Sequence, residues 1–148
     1  MTEDGARSRD AMNDSMTIHV FNAIEAIEPA SRTAQDWLRQ RGLPPNLCYL
    51  VNLAIEELVT NCVKHAYDDA AQHVIEFVLS ITERTLTIIA VDDGREFDPS
   101  SVPSPDMSQP LSRRPIGGLG IHLLREMMDS MSYERRDGKN RLTLTKGL

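Results

Sequence analysis

Aromatic side chains are scarce in this chain, with one Trp, three Tyr and three Phe among 148 residues. A hydrophobic core must therefore be built from Leu, Ile, Val, Ala and Met. Positive charge is also in deficit: 16 Lys and Arg against 22 Asp and Glu leave a formal net charge of −6. That balance argues against nucleic acid or an anionic membrane surface as the main partner, because both reward basic patches. No apolar run approaches the ~18 residues that a membrane span requires. The opening residues Met1 to Asp10 lack the apolar stretch of a signal peptide. There are only two cysteines, Cys48 and Cys62, and they fit no metal-binding or redox spacing. They read as buried reduced thiols. Together these absences predict a cytoplasmic protein with neither membrane span nor direct nucleic-acid contact.

What is present is one domain's worth of ordinary globular sequence, 41% apolar and 26% charged. Residues 1–15 are polar and mixed in charge, which predicts a disordered tail before a single domain over 16–148. Met16 to Phe21 has the β-branched character of a first strand. Pro29 suits the first turn of a helix that runs to about Arg41, where Gly42, Pro44 and Pro45 stop it. Leu47, Leu50, Val51, Ala54, Ile55, Leu58, Val59 and Cys62 then recur at the three-and-four spacing of a buried helical stripe. Asn46 is its expected N-cap, and its end is expected near Tyr67 to Asp69. Runs from His73 to Ile81 and from Leu86 to Val91 predict an antiparallel hairpin turning near Glu83 and Arg84. Between residues 94 and 116, prolines among serines and charges support neither helix nor sheet. A loop of that length in a compact domain reads as a lid or binding loop. A helix follows over Gly117 to Asp129, with Ile121, Leu124 and Met128 on one face. A hairpin across Asp137 and Gly138 closes the chain. Helices against one face of a mostly antiparallel sheet make an α+β two-layer sandwich.

Three places hold residues suited to chemistry. Glu57 and Asn61 lie one helical turn apart and project from nearly the same direction, with Lys64, His65 and Asp68 continuing that neighbourhood. An isolated pair of this kind reads as a solvated helix face. Its chemical reading is an Asn carbonyl oxygen able to hold Mg²⁺ against phosphates, and a carboxylate able to take a proton from a hydroxyl. Asp92, Asp93 and Gly94 end an apolar strand, where they could form a plain turn. Asp92 could equally accept a hydrogen bond from an exocyclic amine such as that of adenine, with Gly94 admitting close approach of the backbone to the ring. Gly117, Gly118, Leu119 and Gly120 open a helix, and glycines there let backbone N–H groups face a phosphate. No Lys-Ser/Thr follows, so this is not a Walker loop; nor does a tight strand-to-helix turn precede it, as a dinucleotide fingerprint requires.

In this order and on these elements the three signals combine. The sequence resembles the histidine-kinase-like (GHKL) ATPases: Glu57-Leu-Val-Thr-Asn61 looks like the N-box, Asp92-Asp-Gly94 like the first glycine box and Gly118-Leu-Gly120 like the second, with the lid between. Within that superfamily it is most similar to the anti-sigma-factor serine kinases of bacterial stress-response and sporulation switches. Glu57 to Tyr67, Asp93 to Asp98 and Gly117 to Asp129 carry this likeness, which spans roughly Met16 to Lys146. The resemblance implies an ATP- and Mg²⁺-dependent serine/threonine-protein kinase, homodimeric, that phosphorylates an anti-anti-sigma (STAS-domain) partner and sequesters a sigma factor. It implies Glu57 as proton acceptor, Asn61 as Mg²⁺ ligand and Asp92 as the adenine reader. Phosphate would fall to the backbone of Gly117, Gly118, Leu119 and Gly120, with Arg113 and Arg114 of the lid as helpers. Lys64 and His65 fall in the same nucleotide neighbourhood, His65 being expected to pack or hydrogen-bond beneath the site. The alternatives are an ATP-binding regulator that works by partner binding alone, and a sensor-type catalytic domain acting on a separate phosphohistidine protein.

Overall fold

The computed structural model describes residues 14–103, 108 and 119–148. Strand β1 (Asp14–Phe21) begins two residues before the expected boundary, inside the segment read as tail. Helix α1 spans Ile27–Gln40 and places Pro29 in its first turn, where the missing N–H is no loss. It ends as the glycine predicts: Gly42 takes φ 73°, its N–H reaches the Arg39 carbonyl at 2.9 Å and Leu43 N reaches the Leu38 carbonyl at 3.2 Å. This is a Schellman close, which satisfies carbonyls the helix would leave orphaned.

Helix α2 (Pro45–Asn61) differs at its start. Pro44 is the N-cap and Pro45 the first helical residue, so the expected cap at Asn46 lies inside the first turn. Proline's fixed φ preorganises that position, and it overrides the capping preference of Asn46. The whole predicted stripe is buried, and Cys48 and Leu53 are buried besides. The extra burial arises because α2 packs against α1 and α3 as well as the sheet. A π turn over Cys62–Ala66 prolongs α2 to the expected end at Tyr67. Both cysteines are free and buried, as expected.

Strands β2 (Val74–Ile81) and β3 (Thr85–Asp92) form the predicted hairpin, and β4 (Ser130–Arg136) and β5 (Lys139–Gly147) the second. Asp137 and Gly138 take φ 53° and 74°, the paired positive angles of a tight hairpin turn. The five strands run antiparallel in the order β1-β2-β3-β5-β4, so β5 lies between β3 and β4. One face alternates apolar residues toward the helices: Val20, Phe77, Leu79, Leu86, Ile88, Leu142 and Leu144 are all buried. Helix α3 (Leu119–Met127) lays Ile121 and Leu124 on the same core, with Met128 just beyond its end. The α+β two-layer architecture is the expected one. Among the described residues no helix is long and apolar enough to cross a membrane.

One feature of the expected lid differs. Pro99–Ser101 forms a 3-10 turn where no helix was expected, because Asp98 accepts from Ser100 N at 2.9 Å and Pro99 supplies the first helical φ. Arg125 on α3 donates to the Ser100 carbonyl at 3.2 Å and holds that turn against the helix. Residues 104–107 and 109–118, with Arg113, Arg114, Gly117 and Gly118, lie outside the described residues, as does the tail before Asp14.

Candidate functional site

The inward face of the sheet is apolar along most of its length and turns polar at one end. On β3, Leu86, Ile88 and Ala90 point inward, and the next residue in that phase is Asp92. Its cross-strand partner on β5 is Asn140, which continues the phase of Leu142 and Leu144. Asn140 is 6% exposed and fully engaged. Its Nδ2 donates to Asp92 Oδ1 at 2.9 Å and to the Arg95 carbonyl at 2.8 Å. Its Oδ1 accepts from the Tyr133 hydroxyl, from Arg135 at 3.1 Å and from Phe97 N at 3.3 Å. Donors on one side and acceptors on the other fix the amide orientation. Asp92 Oδ1 also accepts from Gly94 N at 2.9 Å, so one carboxylate oxygen serves the turn as a plain Asx geometry would. Burial and the adjacent Asp92, with which it shares a hydrogen bond, push the Cys62 thiol up and keep it protonated.

Asn140 was missed in the sequence, and a signal for it existed. It is the single polar residue in the inward phase Asn140, Leu142, Leu144. Tyr133 and Arg135 lack such a signal. Tyr67 was also passed over: its hydroxyl donates to Asp93 Oδ1 at 2.8 Å and its ring stacks on His73 with centroids 3.7 Å apart. The loop after the π turn is thereby tied to the Asp92-Asp93-Gly94 turn. Gly94 strengthens that tie, since a Cβ there would lie 2.6 Å from Ala66 Cβ and 2.9 Å from the Ala66 carbonyl. The close approach that Gly94 permits in the structure is to the π turn, where the sequence suggested a ligand ring.

A recess lined by Asp92, Asn140, Asn61, His65, Phe97 and Leu142 sits over this polar end. It adjoins a second recess that shares Asn61, His65 and Phe97 and adds Glu57, Lys64, Leu119 and Gly120. The two make one cleft between α2, its π turn and α3. Glu57 and Asn61 project into it from α2 as the spacing predicts, and both are half-buried. Burial pushes the Glu57 carboxyl up, Glu56 adds to the shift and Lys64 opposes it. Neither Glu57 nor Asn61 has a hydrogen-bond partner among the described residues. The π turn exposes Lys64 and His65. His65 is therefore a wall of the cleft, and the expectation that it packs beneath the site is corrected. A π turn places its side chains out of phase with the helix before it, which carries the imidazole away from the core.

Gly120, in the first turn of α3, abuts the carboxylate of Glu57: an added Cβ would fall 1.8 Å from Glu57 Cδ. The missing side chain thus makes room for the carboxylate. The cleft thus brings together a hydrogen-bonded carboxylate–amide pair, an unspent amide oxygen, the Lys64 ammonium, the His65 imidazole and an unpaired carboxylate.

A sequence profile described as the histidine kinase-like ATPase domain matches residues 21–146. The chain is similar to the serine/threonine-protein kinase BtrW of Bordetella bronchiseptica, at 35% identity over 99 residues, which cover 67% of this chain and 70% of that protein. It is also similar to the serine-protein kinase RsbW of Bacillus cereus, at 35% identity over 92 residues. That match covers 60% of this chain and spans 57% of the Bacillus protein's length. Among solved structures, the RsbU and RsbW domains of a Mycobacterium tuberculosis protein superpose with a TM-score of 0.63 at 18% identity. The superposition takes in 90% of this chain and 32% of that one, and it supports the shared fold.

Proposed function

Because the chain belongs to the histidine kinase-like ATPase family, we propose that it is an ATP-dependent serine/threonine-protein kinase and anti-sigma factor, which phosphorylates an anti-anti-sigma STAS-domain partner and sequesters a sigma factor. The observation that carries this reading is the continuity of the cleft from the Asp92–Asn140 pair to Asn61 and Glu57. The residues present fit Mg-ATP. Asn61 has an amide oxygen with no partner among the described residues, and Gly120 leaves room in the cleft for the Glu57 carboxylate.

In this reading Asp92, oriented by Asn140, accepts from the adenine amine and selects against guanine. Asn61 ligates Mg²⁺, a hard cation suited to an amide oxygen. Lys64, His65 and the backbone of Gly117, Gly118, Leu119 and Gly120 neutralise phosphate charge at the positive end of α3, assisted by Arg113 and Arg114. Glu57 takes the proton of the partner's hydroxyl, and burial favours its protonated form. Bound Mg-ATP supplies the transferable phosphoryl group, and the protein's part is positioning and charge stabilisation. A homodimer built partly from β1 and α1 belongs to the same proposal.

The test is incubation with Mg-ATP and a candidate STAS-domain protein, followed by mass-spectrometric mapping. Acid-stable phosphate on a partner Ser or Thr is the expected result. Acid-labile phosphate on a His would favour the sensor-type reading instead. Binding of both ligands without transfer would favour a regulator that acts by contact alone.

A further inference from the structure

We propose that the apolar wall beside Glu57, formed by Leu53 of α2 with Leu119 and Leu123 of α3, seats the acceptor segment of the partner protein, and that this segment carries an apolar side chain next to its phosphorylated Ser or Thr. The inference rests on the kinase reading above and adds the chemistry of the substrate to it.

Leu119 and Leu123 are one turn apart on α3, so they share a face, and they are 43% and 36% exposed. Leu53 is one turn before Glu57 on α2. All three line the recess that holds Glu57. Phe97, 40% exposed, closes the same recess from the segment after β3. Leu53 is itself buried and forms the floor; the exposed Leu119, Leu123 and Phe97 around a half-buried carboxylate mark a surface that something else covers.

Two arguments identify the occupant. The recess is divided by charge: Asn61, Lys64 and His65 stand at one end, and Leu53, Leu119 and Leu123, with no cation among them, at the other. Triphosphate belongs at the cationic end, and an uncharged polypeptide surface at the apolar one. Phosphoryl transfer also keeps the attacking and leaving oxygens roughly in line, so the acceptor enters opposite the leaving diphosphate. Entry past the leucines delivers the hydroxyl to Glu57. The acceptor oxygen forms the new P–O bond as the β–γ bond breaks, the hydroxyl proton passes to the Glu57 carboxylate, and ADP leaves. The contact between Gly120 and Glu57 fixes the leucines of α3 relative to that carboxylate, so wall and base act as one unit.

The experiment uses the full chain, Mg-ATP and the STAS-domain protein of the phosphorylation test. Leu123→Glu is expected to raise KM for the STAS protein about tenfold or more, with kcat and the Kd for Mg-ATP within about threefold of wild type. Leu123→Met should restore the wild-type KM, which loss of a merely structural residue would not predict. An unchanged KM in Leu123→Glu overturns the proposal. So does a parallel loss of Mg-ATP affinity, which would give the wall to the nucleotide or to this chain's own lid. If the wild type binds the STAS protein without phosphorylating it, the kinase reading fails separately. The docking surface is then judged by titration: about tenfold weaker binding by Leu123→Glu supports it, and equal binding overturns it.

Discussion

A carboxylate placed to accept a proton gains from an environment that resists its charge, and Glu57 is in such an environment. Its pKa is raised in the fold, so the native state holds the proton more tightly than the unfolded chain does. Stability from this group is therefore lost as pH rises from the ordinary carboxylate range through the raised folded value, and at neutral pH the buried charge is a net cost. Glu57→Gln should then melt at the same or a higher temperature than wild type at pH 7, with the difference fading in acid. Phosphoryl transfer by that variant should drop by about 10²–10⁴-fold, while Asn61→Ala should lose nucleotide affinity as well as rate. Thermal melts across pH, single-turnover transfer and nucleotide titration separate these outcomes. Asn140→Ala strands Asp92, the Arg95 carbonyl and Phe97 N at once, and should weaken ATP binding by about 1–3 kcal/mol; calorimetric titration reads this directly. Glu57, Asn61 and Asp92 were legible in the sequence because their spacing on regular elements projects them into one place. Tyr133 and Arg135 were not, since they reach Asn140 from an edge strand whose pattern carries no sign of it.

The elements were legible where their residues alternate or recur regularly. The stripe of α2 and the inward phase of β2 needed no tertiary information, because burial on one side dictates both. The extra burial of Leu53 did need it, since only the packing of α1 and α3 around α2 creates it. The π turn was equally hidden: Cys62 to Ala66 reads as ordinary helix, yet its altered phase exposes Lys64 and His65. Two glycine substitutions test how these elements meet. Gly94→Ala drives a Cβ into the backbone of the π turn, where nothing flexible yields, and must disturb the 2.8 Å bond from Arg95 N to the Ala66 carbonyl. A lowered melting temperature and weakened ATP binding are expected together. Gly120→Ala meets first the side chain of Glu57, which can turn aside as the Ala66 backbone cannot. Its fold should survive while the displaced carboxylate slows transfer, a difference that melts and transfer assays on the two variants will show. Phe77→Ala, in the middle of β2 and fully buried, should cost about 3–5 kcal/mol in a denaturation experiment.

At the scale of the whole molecule, the strand order decides when the polar Asp92–Asn140 end of the cleft can exist. The last strand in sequence, β5, fills the slot between β3 and β4, and with it comes Asn140 opposite Asp92. A chain growing on the ribosome therefore carries β3 as an open edge, apolar on one face, until its final strand has emerged. Edges of that kind invite pairing with other chains. Asp92 lies far upstream of its partner and waits for it, so nucleotide recognition and completion of the sheet become the same event. Nascent chains arrested before Lys139 would have every residue of the N-box in hand and still lack the amide that aims Asp92. Such fragments would leave β3 open to other chains, and ATP affinity would report whether the β4–β5 hairpin had joined the sheet.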